Sequence, residues 1–180
     1  VGPQHEAAHV GPGEHGHLSP AQAGSVEAAL RKQLERIGGI SDPPVLPVVG
    51  MEEPWRYRNS ARFAVDPQGR LGLRAWRSKP IAPLETCLIL NSLLLELFHS
   101  LEIQLPELER VTLRGSQRTG ESIVVLETSY DEPPFLEVTL PCSCILELSN
   151  GARATLVGND FITEELSGQR FRISAGSFFQ

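Results

Sequence analysis

A predicted β-hairpin with arginines along one side constrains the fold of this 180-residue chain more than any other feature. Between residues 55 and 65, apolar side chains alternate with polar ones, which is the pattern of a strand that buries one face. A turn at residues 66–69 and a second alternating run at residues 71–75 complete the hairpin. The predicted buried face contains Trp55, Tyr57, Ala61, Phe63 and Val65, and the opposite face contains Arg56, Arg58, Ser60 and Arg62.

This hairpin is strongly basic although the chain is acidic. Residues 55–79 contain seven arginines and lysines against one acid, Asp66, which gives +6 in a chain of net charge −6, so the remainder carries −12. Like charges on adjacent strands repel each other unless anions neutralise them. Because guanidinium groups bind phosphate bidentately, the pattern predicts nucleic-acid binding through Arg56, Arg58 and Arg62. The alternative is a solvated strand face whose arginines pair with acids elsewhere in the fold.

The rest of the chain predicts an α+β fold. Apolar residues at helical spacing indicate a first helix, which Ser25 caps and a glycine pair ends, and a second helix over residues 91–101. Six short strands are predicted at residues 110–113, 122–127, 143–148, 154–157, 161–165 and 170–174. The Asn150-Gly151 pair is typical of a type I′ hairpin turn, whereas residues 130–141 fit either a short helix or a loop. We predict a largely antiparallel sheet with two helices packed on it.

The first 24 residues lack hydrophobic periodicity and are rich in Gly, Pro and His, which predicts a flexible lead-in. Four of the five histidines lie there, and they fit either a polar coil or a metal site. Because no cysteine or clustered carboxylate joins them, we predict no metal.

Three cysteines are too few for a disulfide framework, and they indicate a reducing, cytoplasmic location. Cys142 and Cys144 share one predicted strand face and are read as structural. No apolar run reaches the ~18 residues of a membrane span. We expect no membrane contact and a monomer. The residues alone show no glycine-rich phosphate loop and no assembled catalytic group.

Residues 54–63 read PWRYRNSARF, and residues 171–180 contain FRIS followed by SFFQ. These segments resemble the PWxYRNxAxF and FxIS…SFFQVN motifs of the SAM-dependent RNA uracil-5-methyltransferases, which make 5-methyluridine in tRNA and in large ribosomal RNA. Residues 38–40 and 85–89 also fit, and the resemblance covers residues 17–180. The first helix and the segment around Cys87 are more similar to the ribosomal RNA branch.

In that family, an RNA-binding OB-type domain often comes first, a central α+β domain follows, and a Rossmann-like SAM domain ends the chain. The resemblance implies that residues 25–174 form the central, RNA-contacting domain. Residues 175–180 would then begin the link to a methyltransferase domain that is absent here. The family's catalytic cysteine, its general base and most SAM contacts lie in that domain, so no catalytic residue is expected in this chain.

The resemblance assigns roles to a few positions of this sequence. Gln180 matches the glutamine that contacts SAM, and Phe178 matches a position beside the target uracil. The basic strand of the family's RNA-facing domain is matched by Arg56, Arg58 and Arg62.

Cys87 matches the fourth ligand of a 4Fe–4S cluster that some members carry. The other three ligands would align with Gln4, Val10 and Gly13, none of which is cysteine. We therefore predict no iron–sulfur cluster.

The leading hypothesis is that the chain supplies RNA binding and one wall of the active site to an enzyme that methylates carbon 5 of a uridine. SAM is the expected cofactor and RNA the expected partner, ribosomal RNA rather than tRNA. One alternative is a stand-alone, non-catalytic RNA-binding module. Another is a protein-interaction domain whose arginine face meets an acidic partner.

Overall fold

The computed structural model of the chain describes residues 20–49, 55–74, 80–134 and 140–177. The chain divides into two compact units, Val1–Pro54 and Trp55–Gln180.

The first unit contains helix α1 (Pro20–Arg36). The expectation that Ser25 caps this helix is wrong, because α1 begins at Pro20, where a proline is well tolerated and the alanines that follow favour helix. The predicted end at the glycine pair is confirmed, since Gly39 is left-handed with φ +64° and Ile40 N donates to the Leu34 carbonyl at 3.3 Å. The apolar stripe of α1 is largely exposed, with Leu30 at 50%.

Two side chains of α1 form hydrogen bonds with the extended segment that follows the helix. Arg31 Nη1 donates to Asp42 Oδ1 at 3.0 Å and to the Pro43 carbonyl at 2.8 Å. Glu27 Oε1 accepts a hydrogen bond from Val48 N at 2.8 Å. These contacts are internal to the first unit.

The second unit is built on a seven-stranded sheet and a separate two-stranded hairpin. The sheet has the order β3-β2-β1-β4-β5-β6-β7, and β8 pairs with β9. In chain order the elements are β1 (Ser60–Val65), β2 (Leu71–Arg74), β3 (Ile81–Pro83), α2 (Ser92–Ser100), β4 (Leu108–Gly115), β5 (Ser122–Thr128), β6 (Ser143–Glu147), β7 (Arg153–Val157), β8 (Phe161–Leu166) and β9 (Gln169–Ser174).

The α+β class is confirmed, and the sheet is antiparallel except between β5 and β6, which run parallel. The prediction that helices pack on the sheet is confirmed for α2. The predicted hairpin between β6 and β7 is present, but its type I′ turn is wrong, because Gly151 has φ +81° whereas Asn150 is not left-handed. No helix among the described residues is long and apolar enough to cross a membrane.

The main core lies between α2 and one face of the sheet. Leu94 and Phe98 of α2 pack over Phe63, Leu113 and further apolar residues of β4, β5 and β6. The Phe63 and Phe98 rings lie 5.1 Å apart between centroids. The Asn91 carboxamide caps α2 by accepting a hydrogen bond from Leu94 N at 2.9 Å, as the predicted start of this helix requires.

The opposite face of the sheet carries a second, smaller core. Ile123, Val125 and Ile145 pack there with Ile162 of β8 and with Ala175, which follows β9. The two-stranded hairpin therefore covers part of the face that α2 leaves open.

The predicted strand over residues 55–65 is partly wrong, because β1 begins at Ser60. Arg56 is left-handed with φ +55°, and its N–H donates to the Leu88 carbonyl at 3.0 Å. Arg58 N donates to the Ile89 carbonyl at 2.8 Å. Arg56 and Arg58 thus pair with the segment that leads into α2, whereas the Asn59 carbonyl already accepts a hydrogen bond from Gly115 N of β4 at 3.0 Å.

Replacing Leu94 with alanine should lower the free energy of unfolding by about 3 kcal/mol, because this fully buried side chain leaves a cavity between α2 and the sheet. Chemical denaturation followed by tryptophan fluorescence measures the loss. Leu88→Ala is the matched control, since Leu88 is 58% exposed and its loss should cost less than about 0.5 kcal/mol. Equal losses in both variants would contradict this description of the core.

Candidate nucleic-acid interface

The register of the sheet brings four arginines to the face opposite α2. Arg62 lies opposite Thr112, and Arg110 lies opposite Glu127, so these side chains emerge on one side of the sheet. Glu127 lies opposite Glu147, which in turn lies opposite Arg153. Arg114 is on the same side because it is two residues from Thr112 on β4. We call this surface the arginine face; it comprises Arg62, Arg110, Arg114, Arg153, Glu127 and Glu147.

Glu127 is the centre of the charge pairs on this face. Its carboxylate pairs with Arg62 and accepts a hydrogen bond from Arg110 Nη1 at 3.1 Å, and Thr112 Oγ1 donates to it at 3.4 Å. Burial raises the pKa of the Glu127 carboxyl, but the hydrogen bonds and charges of Arg62 and Arg110 outweigh this effect and hold the pKa below its ordinary value of 4.5. Glu127 is therefore a carboxylate that fixes two guanidinium groups side by side.

The other end of the arginine face is more basic. Arg153 Nε donates to Glu147 Oε2 at 2.7 Å, whereas Arg114 has no carboxylate partner among the described residues. Burial and the charge of Arg153 lower the pKa of the Arg114 guanidinium. Its Nε is buried and has no hydrogen-bond partner within the described ranges.

The three arginines predicted from the hairpin are not on one strand face, so that part of the prediction is wrong. Arg62 belongs to β1 and to the arginine face, but Arg56 and Arg58 precede the strand. Arg56 is exposed, and Arg58 is half-buried with its Nε lacking a partner within residues 55–74, 80–134 and 140–177.

The alternative that arginines pair with acids elsewhere is confirmed for Arg62, which pairs with Glu127 on β5. Within the hairpin itself, Arg70 Nε donates to Asp66 Oδ2 at 2.8 Å, and the same carboxylate accepts the backbone N–H groups of Gln68 and Arg70. These contacts remove part of the free positive charge that the hairpin sequence suggests.

The last described residues run onto the arginine face. Ala175 is buried in the smaller core, and Arg114 Nη1 donates to the Ser177 carbonyl. Phe178 and Gln180, the predicted base and SAM contacts, lie outside the described residues, so their roles stay predictions.

The three cysteines are free thiols, and Cys142 and Cys144 are buried. Cys87 is half-buried and packs against the main core, and no group of three His, Cys, Asp or Glu side chains able to hold a metal occurs in the part of the chain that the structure describes. Burial raises the pKa of Cys144 to about 12, so it is a thiol at neutral pH. The four N-terminal histidines and the residues aligned with cluster ligands lie outside the described ranges.

Sequence reasoning missed Arg110, Arg114 and Arg153. The alternation of Arg110, Thr112 and Arg114 with Val111 and Leu113 is a local signal for a polar strand face, and it was available in the sequence. That this face coincides with that of Arg62 follows only from the β1–β4 register.

Known proteins align in sequence with most of this chain. An uncharacterized RNA methyltransferase of Halalkalibacterium halodurans is 30% identical over 199 aligned residues, which cover 91% of this chain and 43% of the relative. An uncharacterized RNA methyltransferase of Streptomyces avermitilis is 29% identical over 192, covering 96% of this chain and 44% of the relative. No family model matches the chain.

A solved structure has the same fold. The tRNA (uracil-54, C5)-methyltransferase of Pyrococcus abyssi, in complex with S-adenosyl-L-homocysteine, matches 88% of this chain and 44% of its own with a TM-score of 0.60 at 20% identity.

A nucleic-acid-modifying enzyme therefore contains this fold, and the sequence identities show to which family of such enzymes the chain is related. The chain belongs to the RNA methyltransferase family that includes these relatives. It spans less than half the length of the curated relatives it matches. The expectation of the family is confirmed, whereas the closer similarity to the ribosomal RNA branch stays a prediction.

The Glu127 ion pairs should make stability depend on pH. Because the pKa of Glu127 is lower in the folded state than in the unfolded state, its contribution is present above pH 4.5 and is lost as the pH falls through the folded pKa. Melting temperatures measured from roughly pH 6 to pH 3 should therefore fall less steeply in Glu127→Gln than in the wild type. Glu165→Gln, at an exposed glutamate, should keep the wild-type slope. If the melting temperature of Glu127→Gln fell with pH as steeply as that of the wild type, the stabilising role assigned to the Glu127 ion pairs would be refuted.

Proposed function

We propose that this chain is the RNA-contacting part of a SAM-dependent enzyme that methylates carbon 5 of a uridine in RNA, with ribosomal RNA as the expected substrate. The observation that carries the proposal is the arginine face within a fold shared with RNA methyltransferases. The roles proposed for this chain are RNA binding by Arg56, Arg58 and Arg62, one wall of the base pocket by Phe178, and a SAM contact by Gln180.

The charge distribution supports RNA as the partner. The arginine face holds four arginines and two glutamates, so it keeps an excess of positive charge in a chain whose net charge is −6. Arg56 and Arg58 add two guanidinium groups that have no carboxylate partner among the described residues. Guanidinium groups in fixed orientations bind backbone phosphates and release counterions, which gives affinity that does not depend on sequence.

The described residues stop short of the position that the resemblance assigns to SAM. Gln180, the one residue here that the resemblance assigns to SAM, lies three positions after Ser177. The carbonyl of Ser177 is held by Arg114, and a Cβ at Gly176 would overlap the guanidinium of Arg153. Residues 175–177 are therefore held by side-chain contacts, and the part of the chain that the structure describes ends there, three residues before Gln180.

In the proposed reaction, SAM supplies the methyl group. A cysteine outside this chain would add to carbon 6 of the uracil, and carbon 5 would then take the methyl group as S-adenosylhomocysteine leaves. A base outside this chain would remove the proton from carbon 5, and the cysteine would be expelled from carbon 6. The target base must leave its stack to reach such a pocket. This chain holds the RNA backbone by its arginines and supplies an apolar wall at Phe178, so its part is to bind and to orient.

The full-length protein that carries this chain should transfer labelled methyl groups from SAM to total RNA taken from cells that lack its gene. Nucleoside mass spectrometry of the digested RNA should then find label in 5-methyluridine, and separation of ribosomal RNA from tRNA before digestion identifies the substrate. Label in another nucleoside would refute the uracil-5 assignment. RNA binding with no methyl transfer would instead establish a non-catalytic RNA-binding module.

Arg58→Ala should weaken RNA binding and reduce the slope of log K against log salt by about one, since one phosphate contact is lost. Fluorescence anisotropy with a labelled oligouridylate at several salt concentrations measures the slope. Arg70→Ala removes the same charge from a residue that Asp66 already neutralises, so its slope should stay near the wild-type value. Identical slopes in Arg58→Ala and the wild type would exclude a phosphate contact at Arg58.

A further inference from the structure

An open cavity of about 510 Å³ lies where the sheet meets the hairpin of β8 and β9. Its walls come from the starts of β5, β6 and β8 and from the end of β7, and they include Glu121, Ser143, Gly158, Asn159 and Phe161. The volume is in the range of cavities that hold small ligands. The described residues that line it include none of those assigned to RNA or SAM.

Phe161 forms an aromatic wall of the cavity, and Arg172 lies on its ring. The Arg172 Cζ is 4.4 Å from the ring centroid, which is the distance of a cation–π contact. Arg172 pairs with Thr163 in the hairpin register, so it shares the hairpin face of Phe161, whereas Phe171 is on the other face. Arg172 is exposed and has no carboxylate partner among the described residues. An aromatic ring covered by a guanidinium is a stacking surface for a base.

Polar groups lie beside this aromatic ring. Asn159 N donates to Ser143 Oγ at 3.1 Å, so the serine hydroxyl keeps its own proton for a further acceptor. Gly158 has φ +71°, and a Cβ on it would lie 2.5 Å from Ser143 Oγ, so glycine is required where β7 ends against β6. The Asn159 carboxamide is exposed and offers both donors and an acceptor. Groups of this kind read the edges of unstacked bases.

The turn between β4 and β5 holds β8 at the rim of the cavity. Glu121 Oε2 accepts a hydrogen bond from Thr163 N at 2.6 Å, and Thr119 Oγ1 donates to the Thr163 carbonyl at 2.8 Å. Ser116 Oγ donates to Glu164 Oε1 at 3.0 Å. These contacts fix β8 before a ligand binds, so less free energy is spent on ordering the site. Among the residues that line the cavity, Glu121 carries the only charge, which favours a neutral base over a phosphate group.

The cavity lies beside the arginine face. Ser122, which lines the cavity, precedes Ile123, and Ile123 lies opposite Arg114 on β4. The chain that leaves β9 beside Phe161 also reaches Arg114, which donates to the Ser177 carbonyl. An RNA backbone held by the arginine face therefore passes near the entrance of the cavity.

We propose that this cavity binds one unstacked base of the RNA, which stacks on Phe161 and Arg172 and forms hydrogen bonds with Ser143 and Asn159. The inference rests on the proposed function for its partner, RNA, and adds a base contact to the phosphate contacts of the arginine face. The Cys142 thiol in the wall is buried, and this burial raises its pKa, so the cavity holds no activated nucleophile. The bound base is therefore a neighbour of the methylated one.

The test uses the full-length protein and compares Phe161→Leu with Phe171→Leu. Both variants remove one ring from the same hairpin, but Phe171 is 48% exposed on the face away from the cavity. Fluorescence anisotropy measures binding to a labelled oligouridylate and to an oligomer of equal length whose riboses carry no bases. Because every base has a face that stacks, the probe does not have to match the natural sequence.

We expect Phe161→Leu to weaken binding of the oligouridylate by about tenfold and to change binding of the abasic oligomer by less than about twofold. Phe171→Leu should match the wild type with both oligomers. The slope of log K against log salt should keep its wild-type value in Phe161→Leu, because no phosphate contact is lost. Equal losses in the two variants would contradict the assignment of the cavity.

Asn159→Ala provides a second variant that does not threaten the fold, because the Asn159 side chain is exposed. It should weaken binding of the oligouridylate by about threefold, since one hydrogen bond to a base is lost, and leave binding of the abasic oligomer unchanged. Melting temperatures identify a variant that unfolds, and if Phe161→Leu is such a variant, Asn159→Ala decides.

The negative results have different meanings. If Phe161→Leu and Asn159→Ala bind both oligomers as the wild type does, or lose affinity for both equally, the base cavity is refuted, and methyl transfer by the wild type keeps the proposed function. If the wild type transfers no methyl group but both variants lose affinity for the oligouridylate alone, the enzyme assignment fails and the base cavity stands. A wild type that binds no RNA would overturn both.

Discussion

The register between β4 and β5 is the constraint on which both cores and the arginine face depend. Pairing Arg110 with Glu127 on one side of the sheet requires Leu113 to lie opposite Val124 on the other side. A slip of one residue would exchange the two faces and place the Arg110 guanidinium under α2. An unpaired charge in that core costs several kcal/mol, so the ion pair and the apolar packing select the same register.

The composition of β5 determines where charged residues can lie on the arginine face. Val124 and Leu126 pack toward α2, while Ile123 and Val125 pack toward the hairpin of β8 and β9, so four consecutive residues of β5 are buried. Polar residues are excluded from this stretch, and the first polar position after it is Glu127. The charged groups are therefore confined to the surroundings of the smaller core, where the turn at residues 174–177 also lies.

Local patterns predicted the strands after α2 well because each is a short apolar or alternating run bounded by turn residues. The predictions from local patterns failed where the pairing of a strand depends on a segment that is distant in sequence. Residues 55–59 alternate like a strand, but Arg56 and Arg58 pair with the segment before α2, and β5 pairs with β6 in parallel. The arginine face was only partly predictable for the same reason, since Arg110, Arg114 and Arg153 are distant from Arg62 in sequence and share its side of the sheet only through the register. Phe178 and Gln180 stay predictions from resemblance.

The positive charge that a polyanion would meet depends on the ion pairs formed across the sheet, and not only on the basic sequence of the hairpin. Asp66 neutralises Arg70 within the hairpin, and Glu127 shares its single negative charge between Arg62 and Arg110. The sharing leaves one positive charge at that site and holds both guanidinium groups in fixed positions. A phosphate that approaches them meets side chains whose conformational entropy is already lost, so less free energy is spent on ordering them. Partial pairing with carboxylates thus lowers the total positive charge of the surface, but it holds the guanidinium groups that carry the remaining charge in fixed orientations.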